Sequence, residues 1–219
     1  MCIRDSIYTI QESSKTSKFG TGINDNVYTV RVGSDKFLFM TRVAKTSSGY
    51  SETHMYLTFG GHGSNMAVTR WNGQVYILTG GAGTQSSTNP TKICIFPWTE
   101  WAAIDLRQTN SNGVEIKHFG NEYSHTMPYP SVDNDNRLFV ERSRENDGDY
   151  FTVYNLDDIM SDPSTARPIK QVFVPAHTNK ITGSSRAFLN TADLGFKTWS
   201  DQGFTISGDY IYALSLIHI

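Results

Sequence analysis

One pattern constrains this chain more than any other: a strand, a tight polar turn and a second strand, repeated three times. Asn65–Trp71 leads through Asn72-Gly73 into Val75–Thr79. Ser131-Val132-Asp133 leads through Asn134-Asp135-Asn136 into Leu138–Glu141, and Phe204-Thr205-Ile206 leads through Ser207-Gly208-Asp209 into Tyr210–Ala213. Asn, Asp and Gly tolerate the positive φ that a tight hairpin requires, so each unit reads as a β-hairpin. Equivalent positions lie 64 residues apart from Val68 to Val132 and 74 apart from Val132 to Ile206. The first two units are each followed by two more apolar runs, Ile93–Phe96 with Val114–Phe119 and Phe151–Tyr154 with Ile169–Val174. Four strands per repeat is the blade of a β-propeller, longer here than the roughly 40–50 residues of common blade families.

Further runs at Val27–Val32, Phe37–Val43, Met55–Phe59 and Val172–Val174 are rich in β-branched and aromatic residues and bounded mostly by turn formers, which is the strand signature. Only Leu156–Met160 and Trp101–Leu106 have the character of a helical turn. The expected fold is all-β: an incomplete propeller of about three four-stranded blades, two of them complete and flanked by partial ones.

The termini read differently. Met1–Asp5 back-translates to ATG TGT ATA AGA GAC, and Leu214–Ile219 to CTG TCT CTT ATA CAC ATC, opposite strands of one transposase library adaptor. Residues 1–6 and 214–219 are therefore expected to be adaptor-derived, with 7–213 forming the partial propeller domain. Cys2 falls in the adaptor, which leaves Cys94 without an intrachain partner. Within Ile93-Cys94-Ile95-Phe96 it reads as a small buried hydrophobe. No apolar stretch is long enough to span a bilayer as a helix. A net charge of −2 gives no electrostatic reason to expect nucleic acid.

Gly60-Gly61-His62-Gly63-Ser64-Asn65, Ser131-Val132-Asp133 before Arg137-Leu138, Tyr154-Asn155-Leu156-Asp157-Asp158 and Gln202-Gly203-Phe204 before Gly208-Asp209-Tyr210-Ile211-Tyr212 occur in that order. This series resembles the five-bladed propeller domain shared by receptor-binding tail proteins of phages of Gram-positive bacteria and teichoic-acid biosynthesis protein C. Helveticin-like bacteriocins carry a similar pattern. The resemblance covers roughly residues 27–213. It departs on the strand after Gly-His-Gly, where relatives tend to carry a Trp and an acidic residue and this chain has Tyr76-Ile77-Leu78-Thr79. The resemblance implies a five-bladed parent domain and an extracellular, cell-surface or virion-borne module whose partner is cell-wall polysaccharide or teichoic acid.

Candidate ligand-binding residues follow from where such a fold gathers its loops. His62, flanked by glycines just before an innermost strand, points to the channel, with Ser64 and Asn65 beside it. Gln202 occupies the equivalent approach in the last unit. Trp98 and Trp101 leave a strand and offer aromatic faces for sugar or polyol, although packing between blades is the stronger account of them. The alternatives are a glycan hydrolase and a helveticin-like bacteriocin. A hydrolase needs two converging carboxylates, and Asp133, Glu141 and Asp201 are scattered. No catalytic residue is assigned. No cofactor is expected apart from calcium at the acidic turn Glu145–Asp149, and Asp133-Asn134-Asp135 lacks the glycine and final glutamate of a calcium loop.

Overall fold

The structure, a computed structural model, describes residues 6–12, 31–32, 35–60, 66–82, 90–120, 126–133, 135–145, 148–175, 201–207 and 210–215. In chain order, β1 (Ser6–Glu12), β2 (Arg31–Val32), β3 (Asp35–Thr46) and β4 (Gly49–Thr58) precede β5 (Met66–Trp71), β6 (Gln74–Gly81) and β7 (Lys92–Pro97). The short strands β8 (Ala103–Asp105), β9 (Asn110–Ser111), β10 (Val114–Glu115) and β11 (Lys117–Phe119) come next. Then follow β12 (Thr126–Val132), β13 (Leu138–Glu145), β14 (Gly148–Asn155), the helix α1 (Leu156–Ser161) and β15 (Lys170–Pro175), with β16 (Asp201–Ser207) and β17 (Tyr210–Ser215) last.

Two four-stranded sheets have the order expected of blades, β11-β7-β6-β5 and β12-β13-β14-β15, and all their pairings are antiparallel. A sheet β1-β3-β4-β8 precedes them, with β2 paired to β3, and the pair β16-β17 follows. The fold is an all-β, incomplete β-propeller. The turn chemistry is as the sequence requires: Asn72 and Gly73 take φ of 49° and 80°, and Asn136 takes 54°. The segment 101–106 departs from its helical reading. Ala103–Asp105 pairs in parallel with Tyr56–Thr58, because an open strand edge offers its backbone groups partners that one isolated helical turn cannot. Leu156–Ser161 does form the helical turn.

Packing follows from the period of two along each strand. In β7, Cys94 and Phe96 enter a core shared with Leu38, Met40, Met55 and Leu57 of the preceding sheet. Ile93 and Ile95 point the other way, to Phe139 and Tyr154 of the following sheet. In β13, Phe139 serves that second core while Val140 joins Phe151, Phe204 and Ile206 in a third. Both faces of a middle blade are therefore buried, which is why its strands read as unbroken apolar runs rather than alternating ones. Each fully buried Ile, Leu or Phe contributes about 1.5–3 kcal/mol, so these three cores hold the sheets together.

Each described connection between third and fourth strands also reaches back to the sheet before it. After β7, the chain supplies β8 to the edge of β4. After β14, α1 inserts Ile159 and Met160 into the core beside Phe119. There the Lys117 ammonium of β11 donates to the carbonyls of Met160 (2.6 Å) and Ser161 (3.1 Å), the unsatisfied acceptors at a helix end.

Candidate functional site

The strands β5, β12 and β16 open their units and lie in succession, β12 packing against both β5 and β16. Their mutual packing makes them the inner strands of their units. Residues 61–65 enter β5, 121–125 enter β12 and 176–200 enter β16.

Two of the entries carry the same backbone device. The pairing of β12 with β13 shifts between Thr126 and Tyr129, and that of β16 with β17 shifts between Asp201 and Gly203. Each shift inserts one extra residue, so Gln202 occupies a bulge. Bulges re-aim side chains and recur at sheet ends beside binding sites. Gly80 serves the first bulge directly. A Cβ there would stand 2.7 Å from Pro90 Cγ and 3.1 Å from the Pro128 carbonyl oxygen, so only glycine admits the approach of β12.

The loop into β5 has a built base. Phe59, in left-handed backbone at φ 62°, lies under the Arg107 guanidinium, 3.4 Å from carbon to ring centroid. Arg107 grips Asp105 through Nε to Oδ1 (3.0 Å) and Nη2 to Oδ2 (2.6 Å). That guanidinium holds the Asp105 carboxyl below its ordinary range. Next to Phe59, a Cβ on Gly60 would collide with Leu38. The segment entering the loop is thus fixed on both sides.

His62, Ser64 and Asn65 lie outside the described residues. So does the side chain of Gln202, whose backbone alone is placed. The acidic turn Glu145–Asp149 also falls outside them apart from backbone at its ends. Trp98 is buried in the core between the first two sheets, and Tyr129 in the third core. Trp101 is 58% exposed and packs edge to face against His54 of β4. Of the carboxylates considered for hydrolysis, Asp133 is committed to its turn, accepting from the amides of Arg137 (2.7 Å) and Leu138 (2.8 Å). Glu141 is buried within β13, and the side chain of Asp201 is not described. Among the described residues no group of three or more His, Cys, Asp or Glu is arranged to hold a metal. Reading the sequence did not find the Asp105–Arg107–Phe59 base. Its one signal is an Asp-x-Arg spacing, which turns of every kind contain.

The order of units and the succession of inner strands agree with a family match over residues 21–185, to a phage five-bladed β-propeller receptor-binding platform domain. The chain belongs to that family. As a member of this platform family it has a binding role, and no helix among its described residues is long and apolar enough to cross a membrane. The platform is also similar to a Bacillus subtilis (strain 168) protein described as a major teichoic acid biosynthesis protein C. The two are 26% identical over 169 residues, which make up 73% of this chain and 36% of that relative. The chain thus spans about a third of the relative's length.

Proposed function

We propose that this platform recognises a cell-wall glycopolymer of Gram-positive bacteria, of the teichoic-acid type, and works outside the cell on a virion or at a cell surface. The observation that carries the reading is the succession of three inner strands, two of them bulged near their first residues, in a member of a receptor-binding family. The similarity to a teichoic acid biosynthesis protein supports the polymer class. Loops on a rigid propeller can grip a polyhydroxylated chain through hydrogen bonds, with little reordering on binding. His62, Ser64, Asn65 and Gln202 are the groups proposed to make those bonds. A hydrolytic role has less support, since Asp133 is occupied by its own turn.

Isothermal titration of the chain with purified wall teichoic acid tests the proposal. His62→Ala and Gln202→Ala are each expected to weaken binding by about tenfold, the equivalent of about 1.4 kcal/mol. Unchanged affinity in both variants would remove the strand entries as the binding site.

A further inference from the structure

Two hairpins of this chain turn on the same dipeptide. Asn72-Gly73 joins β5 to β6 and Asn112-Gly113 joins β9 to β10, each as a loop between paired residues, Trp71 with Gln74 and Ser111 with Val114. The asparagines take φ of 49° and 52°, and both glycines take 80°. All four residues are exposed, and a Cβ on either glycine would meet nothing within 4 Å. Sequence, backbone and exposure are thus matched, and what differs is the surroundings of the two carboxamides.

The Asn112 carboxamide is held. Its Nδ2 donates to the Ala103 carbonyl of β8 at 2.5 Å, and the neighbouring Ser111 Oγ accepts from the Asp105 amide at 3.0 Å. Val114 and Ile116, just beyond the turn, are buried in the first core. The Asn72 carboxamide has no hydrogen-bond partner among the described residues. Its turn carries a cation instead: Arg70 Nη1 donates to the Gly73 carbonyl at 2.8 Å. Positive charge at that place favours loss of a proton from the Gly73 amide.

We propose that Asn72 is a site of spontaneous covalent modification, converting to aspartate and isoaspartate through a cyclic imide, and that Asn112 is protected from the same reaction by its bond to Ala103. The Gly73 amide gives its proton to hydroxide, and its nitrogen attacks Asn72 Cγ. The N–Cγ bond forms, the Cγ–Nδ2 bond breaks, and Nδ2 leaves as ammonia with a proton from water. Water then opens the imide at either carbonyl. The carboxylate is left on the side chain as aspartate or, as isoaspartate, on the former backbone carbon. Glycine in second place admits the attack, since no side chain shields its nitrogen and rotation about the Asn72 Cα–C bond meets no obstacle there. At Asn112 the same swing requires Nδ2 to leave Ala103. Either product adds a negative charge, and isoaspartate also lengthens a loop whose twist fits two residues. The Trp71–Gln74 pair at the mouth of the hairpin is then the first to open. Trp71 would loosen with it from Tyr76, 6.0 Å between ring centroids, and from the Lys117 ammonium at 5.6 Å.

The test follows the full chain, folded in warm, mildly alkaline buffer and sampled over time. Trypsin places Asn72 in the peptide Trp71–Lys92 and Asn112 in Gln108–Lys117, and mass spectrometry reads replacement of the carboxamide by the acid in each. Asn72 is expected to convert about tenfold faster than Asn112, the effect on a rate of a hydrogen bond of ordinary net strength. In urea, where both turns are lost, the two rates should converge. Equal rates in the folded chain, or a faster Asn112, would overturn the proposal. So would a tenfold difference that persists in urea, because the flanking residues and not the fold would then set it.

Discussion

At the scale of single residues, burial decides what each reactive group can do. Cys94 lies in the first core with its Sγ 3.5 Å from the Leu106 carbonyl, and burial pushes its thiol well above the ordinary range. A raised pKa in the fold means that the thiol's contribution is complete below the unfolded value of about 8.5 and is lost as pH rises beyond it. Native chain and Cys94→Ala should therefore take up the same amount of a thiol reagent at pH 8, a difference of one equivalent appearing only on unfolding. Between pH 9 and 10 the native chain should lose stability faster than the variant, by up to about 1.4 kcal/mol per pH unit. Equal slopes in urea titrations would show that the thiol is open to solvent. The apolar run around Cys94 made this burial readable in advance, but the two tryptophans could not be separated that way. Trp98 and Trp101 flank one dipeptide, yet one is buried and the other is exposed. What separates them is the edge of β4, which captures the Trp101 amide from 47 residues away in sequence.

At the scale of elements, the strands and hairpins were legible because their causes are local. Asn72-Gly73 and Asn136 specify left-handed backbone by residue type, and the continuous runs in β7 and β14 announce strands buried on both faces. The backward clasps were not legible, because β8 is held by an open edge and α1 by the neighbouring sheet. The helical turn of α1 was legible in Leu156–Met160 but not its seat against the neighbouring sheet, and the strand β8 was not legible at all. Lys117 offers a direct test of the second clasp. Lys117→Met retains the alkyl stem and removes the two bonds to Met160 and Ser161. It is expected to lower stability by about 1–2 kcal/mol in urea unfolding, the range for bonds to a charged donor at a partly buried site. Hydrogen exchange should rise first in α1. An unchanged exchange rate there would mean that Ile159 and Met160 alone hold the helix.

At the scale of the whole molecule, the sheets share three apolar cores among the described residues, and the inner strands β5, β12 and β16 pack in succession. The proposed residues were readable only as positions in a repeat: Gln202 aligned with the glycine-flanked His62, and its bulge emerged from pairing with β17. The central claim is recognition of wall glycopolymer, and the most direct measurement is co-sedimentation of the purified chain with Gram-positive cell walls before and after chemical extraction of teichoic acid. The account predicts saturable binding to intact walls and its loss on extracted walls. Binding that survives extraction unchanged, or no binding to either, would contradict it.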